Sequence, residues 1–125
     1  LLEWAGLDPM PEQHCDGVSL TKLLSEGADD SLAQRPVFWH YPHYSNQGDT
    51  PSCAVRKGPW KLIEWFEDHR VELYNVVEDV GEENDLSVYK PHIVEELSAL
   101  LAEWLESAGA KIPQPNPKRI DLNGR

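Results

Sequence analysis

The 125-residue chain carries eleven Lys and Arg against twenty-two Asp and Glu, a formal charge of −11. That balance leaves no net field to draw phosphates in and argues against a nucleic-acid partner. With 40% apolar residues and five Trp the chain can bury a real core as one domain, ten Pro imply much loop, and no run approaches the roughly 18 to 20 apolar residues of a membrane span.

The chain opens Leu1-Leu2-Glu3-Trp4 without a Met, and no basic-then-apolar export pattern is visible. It reads as a piece of something longer. Leu1 to Gly6 reads as the last turn and a half of a helix closed by Gly6, and Leu7 to Cys15, with two Pro, as an extended connector. Asp16 is an N-cap-type residue for a short helix whose Leu20, Leu23 and Leu24 recur at i, i+3 and i+4 and which stops near Gly27. Ala28 to Gln34 reads as a polar loop.

Arg35 to Tyr41 is rich in aromatic and β-branched residues and predicts a strand, broken by Pro42. His43 to Pro51 then follows as a loop. Three further strand-like runs come next: Ser52 to Arg56, Trp60 to Phe66 and Arg70 to Val76. Lys57-Gly58-Pro59 supplies the first turn, and Glu67-Asp68-His69 the second, where Asp68 or His69 would take a left-handed conformation. In the second and third of these runs Ile63 and Trp65, then Val71 and Leu73, are the expected apolar face of a half-buried antiparallel meander.

The acidic run from Glu78 to Asp85 lacks the ligand spacing of a calcium loop and reads as a solvated turn. A long helix then begins at Pro91 and closes at Gly109. Its Ile93, Leu97, Leu100, Leu101, Trp104 and Leu105 form one apolar stripe that should lie across the sheet. Lys111 to Arg125, with three Pro, reads as an extended or disordered tail. The fold class is therefore α+β: a small antiparallel sheet of about four strands packed against one long C-terminal helix. The expected organisation is 1–27 as the end of an upstream domain and a connector with a short helix, 28–110 as the sheet-and-helix unit and 111–125 as tail.

The densest polar-aromatic cluster is His40-Tyr41-Pro42-His43-Tyr44, where a strand opens into a loop and binding groups commonly sit. Its imidazoles and phenols could hydrogen-bond a sulfate, a phosphate or a sugar hydroxyl, or could be satisfied within the fold. Arg56 and Lys57 could clamp an anion, or could be solvated charges beside a turn. His40-x-x-His43 with Cys53 falls short of the four ligands of a structural zinc site, so no metal site is expected. No nucleophile motif is present, and the pairing of Cys15 and Cys53 stays open.

The order of these signals carries a resemblance. Asp16-Gly17-Val18-Ser19-Leu20, Phe38 to Tyr44, Ala54 to Ile63, Glu72-Leu73-Tyr74-Asn75 and Glu78-Asp79 with Gly81 to Leu86 together resemble the C-terminal part of a type I, formylglycine-dependent, arylsulfatase-like sulfatase. The resemblance runs from Leu1 to about Pro117. It implies a small sheet-and-helix subdomain packed on a larger upstream catalytic domain, with a sulfated carbohydrate as substrate. The formylglycine nucleophile, the calcium ligands and the catalytic Lys and His of the family would lie in that upstream domain. Neither Cys15 nor Cys53 stands in a Cys-x-Pro-x-Arg motif, so no catalytic residue maps onto this chain and the piece alone should be inactive. His40, His43 and Tyr44 match the stretch that the family brings to the cleft mouth, with Arg56 and Lys57 behind them. The resemblance also implies an exported protein, periplasmic or secreted. Two departures are local: His69 stands where a Gly is usual, at a cost of roughly 1 kcal/mol, and Val80 where a Pro is usual. The competing expectations are a free-standing carbohydrate- or protein-binding module, and a purely structural subdomain.

Overall fold

The structure, a computed structural model, describes residues 1–46, 48 and 50–114. The chain forms two compact units, Leu1–Arg35 and the part from Pro36 onward.

In the first unit a single 3-10 turn, Glu3–Ala5, is closed by Gly6 at φ 70°, and a helix α1, Thr21–Glu26, is closed by Gly27 at φ 78°. The positive φ values are the reason glycine stands at both ends. Two expectations fail here. Asp16 does not cap α1; Leu20 occupies the cap position, and the nearby side-chain acceptor is Ser19 Oγ, 3.2 Å from the Thr21 N–H. The stretch read as a polar loop contains a five-residue helix α2, Asp30–Gln34, nucleated by Asp29, whose carboxylate accepts from the Ser31 N–H at 3.0 Å.

The second unit is an antiparallel meander of four strands in the order β1-β2-β3-β4, with β1 Val37–Tyr41, β2 Ser52–Lys57, β3 Trp60–Trp65 and β4 Val71–Asn75. Helix α3, Pro91–Ser107, lies on one face, and the α+β class is the observed one. Gly58 at φ 57° followed by Pro59 forms the two-residue β2–β3 turn. That is the pattern of a type II′ turn, because Pro cannot adopt positive φ. His69, at φ 55°, takes the left-handed position in the β3–β4 turn.

One cross-strand row builds the core. Phe38 pairs with Val55, Val55 with Leu62 and Leu62 with Leu73. Against this row α3 buries Leu97 and Leu101, with Ile93, Leu100, Trp104 and Leu105 packed around them. The stripe expected from the 3.6-residue period is the one used. The C-terminus of α3 is a Schellman motif: Gly109 at φ 59° donates to the Glu106 carbonyl and Ala110 to the Leu105 carbonyl.

The expected inward residues of β3 need correcting. Leu62 is the fully buried residue of that strand, whereas Ile63 and Trp65, read as its core face, fall on the side away from α3. Both faces of Trp60-Lys61-Leu62-Ile63-Glu64-Trp65 are apolar enough to go inward, and only the register with Val55 and Leu73 chooses between them. The far face therefore carries Val37, Trp39, Tyr41, Ile63 and Trp65, with Trp39 48% and Tyr41 46% exposed.

Candidate functional site

The five residues singled out from the sequence are placed by two devices, strand alternation and the turn after β3. His40 alternates with Trp39 and Tyr41, so it points to the α3 side. Its Nε2 lies 3.1 Å from the Lys111 carbonyl oxygen, and its ring packs edge-on against Phe66 with centroids 5.7 Å apart. Its Nδ1 is buried with no partner. A carbonyl only accepts, so Nε2 is the donor in this bond.

His43 and Tyr44 lie beyond Pro42, both exposed. The His43 ring sits edge-on to Tyr41 at 5.6 Å. The Tyr44 hydroxyl donates to Glu67 Oε1 at 2.6 Å, which ties the loop to the β3–β4 turn. Arg56 is exposed on the face away from α3 and its Nε donates to the Gly58 carbonyl at 3.4 Å. Lys57, one residue on, points the other way and pairs with Glu96 of α3 at 2.7 Å. His43 and Tyr44 thus share one loop, while Arg56 and Lys57 occupy opposite faces. The Lys57 ammonium is already neutralised by a helix carboxylate, which itself is held below the usual carboxylate range by its bond to Lys57.

Further residues stand beside this loop. Glu67 fixes Tyr44, and Trp39 and Tyr41 form an exposed aromatic strip on β1. The alternation Val37-Phe38-Trp39-His40-Tyr41 held the signal, since apolar residues at successive positions mark a strand with two covered faces. Further along the same face Arg70 lies over the Trp65 ring, 5.0 Å from its centroid, and pairs with Glu72. Lys61 reaches both carboxylate oxygens of Glu82, at 2.6 and 2.8 Å. Beside them burial, then the charge of Glu72, pushes the Tyr74 phenol up to about 12.

The acidic run is a folded turn, not a row of free carboxylates. Asp79 accepts from the N–H groups of Glu83 and Asn84, at 3.2 and 2.9 Å, and these bonds hold its carboxyl below the usual range. Asp85 accepts from the Leu73 N–H at 3.0 Å and the Ser87 N–H at 2.8 Å, which pins the run to β4. Among the described residues no group of three or more His, Cys, Asp or Glu is placed to hold a metal ion. Both cysteines are free, Cys15 exposed and Cys53 buried. A hollow of about 570 Å³ in the first unit, between Leu2, Pro9, His14 and Val18, contains none of the five candidate residues.

The model of the family described as N-sulphoglucosamine sulphohydrolase, C-terminal, matches residues 1–111. The chain belongs to this family. Its sheet, its long helix and the loop after β1 all fall inside the matched range. A protein named Sulfatase from Formosa agariphila is 32% identical over 98 residues, 73% of this chain and 18% of that protein. The chain thus spans less than a fifth of that relative. Two solved structures share the fold. The structure of BT4656 in complex with its substrate D-glucosamine-2-N,6-O-disulfate has TM-score 0.67 and 24% identity, over 90% of this chain and 23% of that one. The structure of BT1596, a 2-O GAG sulfatase, has TM-score 0.65 and 24% identity, over 86% of this chain and 23% of that one.

Proposed function

We propose that this chain is the C-terminal subdomain of a longer sulfatase that hydrolyses sulfate esters of a sulfated carbohydrate, and that it supplies part of the substrate cleft but not the nucleophile. The observation that carries this reading is the family match along residues 1–111, set against a relative of which the chain spans only 18%. A formylglycine and a calcium ion belong, on this reading, to the larger upstream domain, where the ion would supply charge neutralisation at the sulfate oxygens. The parent protein is exported, to the periplasm or beyond.

Within this chain the exposed His43 and Tyr44 side chains, at the end of β1, contact the sugar that leaves. Arg56 pairs across the sheet with Val37, at the opposite end of β1 from this loop, and Lys57 balances Glu96. The far sheet face, with Trp39 and Tyr41 half exposed, is the side the upstream domain covers. An apolar strip of that kind is costly to leave in water.

The test is sulfate release from a sulfated polysaccharide by the parent enzyme carrying Tyr44→Phe or His43→Ala. Each should lower kcat/KM about tenfold, chiefly through KM, as expected for a contact made equally in ground and transition states. The 125-residue chain alone should release no sulfate. An unchanged kcat/KM in both variants removes the cleft role and leaves the subdomain structural.

A further inference from the structure

The His40 side chain joins its own strand to two other segments of the fold. It extends from β1 two residues before Pro42. Its Nε2 donates to the Lys111 carbonyl, two residues past the Gly109 that ends α3. Its ring packs on Phe66, whose N–H donates to the Pro51 carbonyl at 3.0 Å, at the far end of the loop that carries His43 and Tyr44. The next residue, Glu67, accepts from the Tyr44 hydroxyl. Both ends of that loop and its Tyr44 are thus referred to one imidazole and the turn it packs against.

We infer that His40 is a positioning residue: its imidazole latches the segment leaving α3 onto β1 and, through Phe66 and Glu67, holds the loop that carries His43 and Tyr44. The inference rests on the proposed role of that loop, but the latch itself does not. The side chain must be a donor at the Nε2 position and an apolar surface elsewhere. Nδ1 is buried without a protein partner and the cross-strand neighbour Cys53 is a buried thiol, so that side of the ring faces the core. Replacing the ring by Phe would keep the contact with Phe66 and leave the Lys111 carbonyl unpaired. Gln would restore a donor at the Nε2 distance.

The experiment uses the whole parent enzyme with His40→Phe and His40→Gln, read by hydrogen exchange of the peptide spanning 108–114 and by steady-state kinetics. In His40→Phe exchange of that peptide should accelerate at least tenfold, and KM should rise about tenfold with kcat changed less than twofold. His40→Gln should recover most of both. Unchanged exchange in His40→Phe overturns the latch. Faster exchange with an unchanged KM, in an enzyme whose KM does respond to Tyr44→Phe, overturns the positioning role. If Tyr44→Phe and His43→Ala are also silent, the cleft reading has failed, and the exchange data alone decide the latch. Should His40→Phe not fold, His40→Asn, whose amide falls short of Lys111, carries the same expectations.

Discussion

The rings of Phe38 and Trp104 lie parallel, with centroids 4.7 Å apart. Phe38 belongs to the edge strand β1 and Trp104 to the last turns of α3, so this one contact closes the helix over the end of the core row. Trp104→Ala should therefore cost about 3 kcal/mol, the lower end for a truncated Trp because its ring is only half buried, whereas Trp104→Phe should cost about 1 kcal/mol. Urea midpoints of the two variants measure this. Equal losses would mean that a phenyl ring stacked on Phe38 recovers nothing and that the contact depends on the indole itself.

Lys61 and Glu82 form the least exposed ion pair described, at 25% and 30% side-chain exposure. A pair so placed contributes roughly 1 kcal/mol. A double-mutant cycle of Lys61→Met and Glu82→Gln should return a coupling of about that size, weakening in high salt. Glu82→Gly has a second effect. Glu82 sits at φ 55°, where glycine is at ease, so relief of backbone strain should offset most of the lost pair.

Burial pushes the Cys53 thiol up to about 12, with the Glu64 charge adding to it. The thiolate is the nucleophile, so Cys53 should resist alkylation at pH 8 in the folded protein, while the exposed Cys15 reacts. Mass spectrometry of the labelled, digested chain gives the two extents. Rapid labelling of Cys53 would show that the sheet opens far more readily than its packing allows.

Asp85 gives a pH dependence of known sign. Burial pushes its carboxyl up, but the N–H groups of Leu73 and Ser87 outweigh this and hold it below the usual value. A folded pKa below the unfolded one gives stability that is present above the ordinary Asp range, about 4, and is lost as pH falls through the lower folded value. Asp85→Asn should thus be less stable than the parent at pH 7, and the gap should narrow as pH falls below the ordinary Asp range. A gap that stays constant across that range would assign the loss to shape and not to charge.

The exposed strip of Trp39 and Tyr41 predicts that the 125-residue chain, produced alone, associates as its concentration rises. Trp39→Ser with Tyr41→Thr should weaken that association at least tenfold in sedimentation velocity. A monomer at all concentrations would mean that this face is tolerable in water, and the argument that the upstream domain covers it would lose its support.

Local chemistry was enough to read the strands, the long helix and the two tight turns from the sequence. Glycine and proline at 58 and 59 specify a turn that few other pairs can make. An apolar period of 3.6 over Ile93 to Leu105 has one buried stripe as its solution. Even the strained turn was visible, because His69 was one of two residues in its loop able to take positive φ. Asp29 is the one local signal for the short α2, whose five residues give too little periodicity to mark a helix.

What the tertiary structure alone decided was direction. Leu62, Ile63 and Trp65 are equally apolar candidates for the core, and cross-strand register with Val55 and Leu73, a contact between distant segments, selected Leu62. The same holds for the candidate site. His40 and His43 look alike in the sequence, but strand alternation turns the first toward the Lys111 carbonyl, and Pro42 releases the second into a solvent-exposed loop. Arg56 and Lys57 are adjacent in the chain and opposite in space, and a carboxylate on α3 neutralises only Lys57. Residue type and spacing set which local shapes the chain can take. Which side chain meets which partner depends on segments brought together only when the sheet and α3 close.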